Sequence, residues 1–210
     1  ALTLTPDAHR SLASGLRDVP LESIAGAERC EPGQPVRLMS PEGSLAALAV
    51  ADPENVLLRV MTGPEEGYTT LDARFVRARV ERALGLRQAF GLTRQRTSHR
   101  LIHGAGDGLP GFAADVYGDY AVLYAYSKGL LPLGRTIAER LVEALGASGV
   151  VLKLRGRDAA QSSIKQEIVG VAPTIRHDLF ARDAEAHIYL PSGGSQATRM
   201  FVYARGASGD

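Results

Sequence analysis

The sequence is poor in cysteine. Cys30 is the single cysteine among 210 residues, and it lies in a polar stretch, RCEPG. One thiol excludes a disulfide within the chain, and it excludes zinc sites that are built from several cysteines. The polar setting favours an unreactive thiol, and a nucleophilic cysteine is the alternative.

Long apolar runs are also lacking. No stretch approaches the 18 apolar residues of a membrane-spanning helix, and the opening ALTLTPDAHR has no charged segment followed by an apolar block. We therefore expect no membrane partner, no signal peptide and a cytoplasmic location. With 45% hydrophobic and 22% charged residues, the composition is that of a globular protein with one large or two small domains.

The chain as a whole has little excess charge of either sign, but its charges are unevenly distributed. The formal net charge is +1, yet residues 1–72 carry five basic and eleven acidic side chains. Residues 73–100 carry eight arginines and one acid, Glu81. This asymmetry predicts contact with a polyanion on one face, because guanidinium groups bind phosphates through paired donors. A solvated helix face is the alternative.

The first 71 residues have the pattern of a small β-rich barrel. Turn-rich segments such as PEG, ADPE and TGPEEG separate four strand-like runs: 2–5, 35–40, 44–50 and 55–61. A helix is predicted over residues 6–14, because Thr5 is a suitable N-cap and Pro6 suits the first helical position.

From Asp72 the hydrophobic period becomes helical. The apolar residues that recur at helical spacing are Val76, Val80, Ala83 and Leu84. The arginines predicted to line the outer surface of this helix are Arg74, Arg77, Arg79 and Arg82. The basic character continues into a polar loop that contains Arg94, Arg96, His99 and Arg100. This loop can extend outward to contact phosphates.

The second half alternates strands and helices and predicts an α+β arrangement. Runs 111–117 and 119–126 flank Gly118-Asp119, a pair that suits a two-residue hairpin turn. A helix is predicted from Pro132 until Gly146, followed by a buried strand over 149–154. Further strands are predicted in KQEIVGVAP and over 186–191.

A tyrosine stripe lies on the second strand of this hairpin. Tyr120, Val122, Tyr124 and Tyr126 alternate with small and apolar residues and so share one face. No arginines are interleaved on these strands, so half-buried sheet packing is the favoured interpretation, and base stacking is the alternative.

The stretch RLIHGAGDGLPGFAADVYG, residues 100–118, is a glycine-rich loop between two apolar runs. Its glycines allow positive φ and close backbone approach, which fits an anion-binding nest and a structural turn equally well. The segment 106–111 matches GxGxxG, but it precedes a strand and contains Pro110, so it is not a dinucleotide fingerprint. His103, Asp107 and Asp115 could form a metal or acid–base cluster, but no second histidine lies at a fixed helical offset and the other acids are scattered, so the metal interpretation is disfavoured.

This stretch also carries a family resemblance. RLIHGAGDGLPGFAADVYGD resembles a block of the bacterial 23S rRNA cytosine-5 methyltransferases, with Ala105 where the family has glutamate. PGQPVRLMSPEG is similar to a strand of the family's PUA domain, and ARFVRARVERALGLRQAF resembles its arginine-rich helix. GGSQATRMFVYAR is similar to the segment that leads into the family's methyltransferase domain.

The resemblance implies three parts. Residues 1–71 would form a PUA-like β-barrel domain, residues 72–190 an EEHEAD-like α+β domain, and residues 191–210 a junction to a methyltransferase domain. The SAM-binding Rossmann domain and the cysteine that attacks the target base are expected beyond residue 210. We therefore expect no complete Rossmann domain, no catalytic residue, no cofactor-binding residue and no metal site in these residues. S-adenosylmethionine is implied for the full-length family.

The resemblance also implies a partner, which is 23S rRNA or another structured RNA. The predicted RNA-binding residues are Arg74, Arg77, Arg94, Arg96 and Arg100. The residues predicted to form a structural or anion-binding loop are His103, Gly104, Asp107, Gly108 and Gly111. A stand-alone RNA-binding module and a degenerate methyltransferase relic are the alternatives, and pairing into a homodimer is left open.

Overall fold

The computed structural model describes residues 1–92 and 98–155, together with the backbone of residues 200–204. The architecture is mixed α+β, as the sequence predicts, and it contains two five-stranded sheets. Arg94 and Arg96 lie outside the described residues, and so do the strands predicted in KQEIVGVAP and over 186–191.

The first sheet is almost entirely antiparallel and has the strand order β1-β3-β4-β5-β2. Within this first sheet, β1 and β3 form the one parallel pair. The strands are β1 Leu2–Thr3, β2 Asp18–Pro20, β3 Pro35–Met39, β4 Leu45–Asp52 and β5 Leu57–Thr62. All residues of β4 except the first are buried, and register shifts between β4 and both of its neighbours curve the sheet around its own apolar core.

Helix α1, Pro6–Ala13, lies between the first two strands, close to its predicted limits. Thr5 caps it, since the Thr5 Oγ1 accepts a hydrogen bond from the Ala8 N–H at 3.2 Å. Strand β2 was not predicted. It has three residues and ends in proline, a pattern too short to show alternation, and its strand character comes from pairing with β5 at the edge of the sheet.

The second sheet has the order β10-β9-β8-β7-β6, and β8 pairs with β9 in parallel. Its strands are β6 Ser98–His103, β7 Phe112–Tyr117, β8 Tyr120–Ala125, β9 Gly149–Leu154 and β10 Met200–Ala204. Helix α2 spans Ala73–Ala89, and helix α3, Leu131–Leu145, connects β8 to β9. The β7–β8 hairpin closes at Gly118-Asp119 as predicted, with Tyr117 opposite Tyr120.

The two faces of β8 differ as the alternation predicts. Ala121, Leu123 and Ala125 are fully buried in the core shared with α2 and α3. Tyr120 and Tyr124 point to the other face, where they are half-buried. The sheet therefore has one face covered by helices and one face with partly exposed aromatic rings.

The sequence prediction was wrong about Arg79. It placed Arg79 on the exposed side of α2 with Arg74 and Arg77, but only 6% of Arg79 is exposed. The apolar stripe includes Val76 and Ala83, and a residue three positions after Val76 and four before Ala83 lies on the same side of a helix. The arginine surface of α2 therefore excludes Arg79.

Polar contacts join the first sheet to the second part of the chain. The Glu54 carboxylate accepts hydrogen bonds from the Lys128 N–H at 3.0 and 3.2 Å, and the Asn55 side-chain amide donates to the Tyr126 carbonyl at 3.3 Å. Two glycine backbones also meet here, because an added Cβ at Gly33 would lie 2.3 Å from the Gly129 carbonyl oxygen. This contact leaves no space for a side chain.

Gly33→Ala is expected to lower the free energy of unfolding by about 2 kcal/mol, through a left-handed backbone at φ +81 and overlap with Gly129. Gly43→Ala is the matched control, because Gly43 has φ +87 and no heavy atom within 4 Å of its added Cβ. The control isolates backbone strain and should lose about 1 kcal/mol. Urea denaturation measures both variants, and equal losses would contradict a tight contact at Gly33.

Candidate nucleic-acid interface

Two of the predicted RNA-binding arginines lie at the start of α2. Asp72 caps this helix, accepting hydrogen bonds through Oδ1 from the Arg74 N–H at 2.9 Å and the Phe75 N–H at 3.1 Å. The cap fixes where the helix begins, so Phe75 is buried and Arg74 and Arg77 are exposed on the other side. Their guanidinium groups belong to one surface.

This surface borders a cleft between α2 and α3 with a volume of roughly 400 Å³. Arg74, Arg77 and Glu139 contribute to its walls. Arg140 also lines it and pairs with Glu143 at 2.8 Å and with Glu81 on α2 at 2.6 Å. The hydrogen bond to Glu143, followed by that to Glu81, raises the pKa of Arg140. Two nearby acids are therefore already paired with a cation.

Arg100, a third predicted contact, lies on β6 opposite Asp115 of β7. Its Nε donates to Asp115 Oδ1 at 2.7 Å, and its Nη2 donates to Oδ2 at 2.9 Å. The hydrogen bond to this carboxylate raises the pKa of Arg100. Because the planar donor pair is occupied, Arg100 is less available to a phosphate than Arg74 or Arg77.

The glycine-rich loop forms a 3-10 turn over Gly104–Asp107, and Gly108 ends it in the left-handed region. The Asp107 carboxylate is 3% exposed. It accepts from Arg87 Nη1 at 2.5 Å, from Arg87 Nη2 at 2.7 Å and from the His103 N–H at 2.6 Å. The loop is thereby attached to the C-terminal part of α2.

Two glycines of this loop allow close packing. An added Cβ at Gly108 would lie 2.8 Å from Arg79 Nε, and one at Gly111 would lie 2.5 Å from the Leu130 side chain. Both glycines have positive φ. These contacts favour the structural alternative for the loop, since its own carboxylate and neighbouring side chains occupy the space beside the backbone.

The residues singled out as a potential metal cluster have separate roles. Asp107 binds Arg87, Asp115 binds Arg100, and His103 is exposed. Within residues 1–92 and 98–155, no group of three histidine, cysteine or carboxylate side chains is placed to hold a metal ion.

Sequence reasoning missed the function of Arg87. Arg87 follows Ala83 by four residues, or about one helical turn, so it lies on the same side of α2 as the apolar stripe. This side of the helix faces the glycine-rich loop. The same side chain influences His99 on β6, whose pKa is lowered by burial and then by the Arg87 charge. The four-residue spacing from Ala83 could have predicted that Arg87 faces inward, but it does not identify Asp107 as the partner of Arg87.

Comparison with known proteins indicates a relationship to ribosomal RNA methyltransferases. No family model matches the chain. The chain is 23% identical over 197 residues to a candidate ribosomal RNA large subunit methyltransferase, MJ1653, of Methanocaldococcus jannaschii, covering 92% of this chain and 48% of that protein. It is 32% identical over 102 residues to ribosomal RNA large subunit methyltransferase I of Erwinia tasmaniensis, covering 48% and 25% respectively.

Solved structures show the same fold. A candidate methyltransferase, SMU.776, crystallised with SAH, superposes with a TM-score of 0.63 at 18% identity, covering 73% of this chain and 40% of that chain. A candidate SAM-dependent methyltransferase from Streptococcus mutans superposes with a TM-score of 0.62 at 18% identity and equal coverage. The chain thus spans half or less of the length of the relatives that it matches.

The predicted resemblance to ribosomal RNA methyltransferases is therefore confirmed, whereas the PUA and EEHEAD assignments stay predictions. No helix in the described part of the chain is long and apolar enough to cross a bilayer.

Proposed function

We propose that this chain is the RNA-recognition portion of a SAM-dependent rRNA large subunit methyltransferase that acts on a cytosine of 23S rRNA. The observation that carries the proposal is sequence similarity over 197 residues to a relative named for rRNA methylation. In this proposal residues 1–71 are the PUA-like domain, residues 72–190 the EEHEAD-like domain and residues 191–210 the junction. The protein would act in the cytoplasm, where ribosomes are assembled.

The chemistry assigns binding and orientation to these residues. Cytosine C5 is a weak nucleophile, so its methylation needs a thiolate that adds at C6, a methyl donor held in line and a base for the C5 proton. Cys30, the single thiol of the sequence, packs against the core of the first sheet. We assign to this chain the placement of RNA, and to a separate SAM-binding domain the methyl transfer.

Arg74 and Arg77 are the RNA contacts that the described structure supports best. Both are exposed on one side of α2, and Arg140 pairs with the acids Glu81 and Glu143 beside them. Arg94 and Arg96 follow the same helix in sequence and complete the proposed contact. Phosphate binding by such a group releases counterions, so affinity should fall steeply with salt.

A salt titration with a 23S rRNA hairpin tests this assignment. The Arg74→Gln/Arg77→Gln variant should lower the slope of log affinity against log salt by about 1 to 2, because each lost phosphate contact removes about 0.7 to 0.9. Arg94→Gln/Arg96→Gln should have a similar effect. Arg29→Gln in the first sheet's region is the control, since this exposed side chain pairs with Glu28. An unchanged slope in both double variants would reject the assignment.

A further inference from the structure

In the described part of the chain, helices α2 and α3 cover one face of the second sheet, and the other face carries four tyrosines. These residues, which we call the tyrosine face, are Tyr117, Tyr120, Tyr124 and Tyr126. Tyr117 and Tyr120 are directly opposite each other across the β7–β8 hairpin. Tyr117 is 51% exposed, and the other three rings are half-buried. A row of partly exposed rings on a sheet is the geometry on which nucleic-acid bases stack.

Basic residues from other strands border the tyrosine face. The Arg155 guanidinium lies 5.5 Å from the Tyr124 ring centroid, in cation–π geometry. Lys153 of β9 is directly opposite Tyr124 of β8, which places both side chains on the same face. Arg100 of β6 lies near Tyr124 and Tyr126. None of these cations is adjacent to the tyrosines in sequence.

Among the residues that the structure describes, few acids oppose these cations. Asp115 lies on the same face and pairs with Arg100 through both carboxylate oxygens, and Asp119 lies at the hairpin tip. Lys153 and Arg155 therefore remain beside the rings as charges that can attract an anion. A partner must combine negative charge with flat aromatic groups, which is the chemistry of single-stranded RNA.

We propose that the tyrosine face binds a single-stranded segment of RNA by stacking its bases on Tyr117 and Tyr124, while Lys153 and Arg155 contact the phosphates. The inference rests on the proposed function and adds a second surface to it. The arginines of α2 would hold structured RNA electrostatically. The tyrosine face would hold unpaired bases on the opposite side of the sheet from α2.

Tyrosine fluorescence provides a direct test, because the chain has seven tyrosines and no tryptophan. The full 210-residue chain is titrated with an eight-nucleotide single-stranded RNA of mixed sequence and with an abasic oligomer of the same length. Stacking of the bases should quench the tyrosine emission. The abasic oligomer should bind at least about tenfold more weakly, because it keeps the phosphates and lacks the bases that stack on the tyrosine rings.

Two pairs of variants separate stacking from a structural effect. Tyr117→Ser and Tyr124→Ser should each weaken RNA binding about tenfold, whereas Tyr117→Phe and Tyr124→Phe, which keep the ring, should stay within about twofold of the original. Tyr117 is the safer position for folding because half of its surface is already exposed. Circular dichroism checks that each variant is folded.

The outcomes distinguish this inference from the proposed function. If the serine variants and the abasic oligomer bind normally while Arg74→Gln/Arg77→Gln weakens binding, the tyrosine face is not an RNA site and the proposed function stands. If the chain binds neither the single-stranded RNA nor the 23S rRNA hairpin, both fail. If sedimentation shows a dimer that Tyr117→Ser dissociates, the face is an interface between two copies and the inference is overturned.

Discussion

Arg79→Leu is expected to lower the free energy of unfolding by about 2 to 3 kcal/mol, because it leaves the buried Met61 carbonyl without its donor and the partly exposed Glu66 carboxylate without its cation. The Arg79 Nη2 donates to the Met61 carbonyl at 2.8 Å and also binds the Glu66 carboxylate. The guanidinium lies 5.0 Å from the Phe75 ring centroid. The Arg79 side chain thus joins strand β5 of the first sheet to helix α2, which packs against the second sheet.

The matched control is Arg82→Leu, three residues farther along the same helix. Arg82 is exposed, so its replacement should change the unfolding free energy by no more than about 0.5 kcal/mol. Urea denaturation followed by circular dichroism compares the two variants. A double-mutant cycle with Glu66→Gln should show coupling between positions 66 and 79, and an Arg79→Leu loss no larger than that of Arg82→Leu would contradict the buried contact.

Asp107→Ala is expected to cost about 3 kcal/mol or more, since it leaves the Arg87 guanidinium, which is 14% exposed, without its carboxylate. It also removes the acceptor of the His103 N–H, which holds the start of the glycine-rich loop. We expect the loop to detach locally from α2. Faster hydrogen exchange in residues 103–111 would show this.

Asp115→Ala is the matched control for this variant. Asp115 also binds an arginine through both oxygens, but its partner Arg100 has a side chain that is 42% exposed. Water can replace the lost contact there, so the expected cost is about 1 kcal/mol or less. Equal losses in Asp107→Ala and Asp115→Ala would show that the loop does not depend on its buried ion pair.

Capping and turn residues account for the elements that the sequence predicted well. Thr5 and Asp72 cap the two helices that follow them, and Gly118 lies in the predicted hairpin turn. These signals act between residues at most a few positions apart, so they can be read without knowing the fold. The motif around residues 100–118 likewise indicated the methyltransferase relationship that the comparisons bear out.

The pairing of side chains distant in sequence could not be predicted in this way. Helical periodicity places Arg79 and Arg87 near the apolar stripe, but it does not show that Met61 and Asp107 provide acceptors for them. A strongly charged residue is normally assigned to the surface, because burying its charge is costly unless a partner is present. The partners appear only when the two sheets and α2 are packed together.

By itself, the sequence determined the mixed α+β class, the positions of the main helices and strands, and the similarity to rRNA methyltransferases. The tertiary structure alone decided which arginines are exposed and whether the tyrosine stripe has basic neighbours. Lys153 and Arg155 reach Tyr124 because β9 returns beside β8 after helix α3. Strand order and register bring these groups together, and neither can be read from the spacing of the residues along the chain.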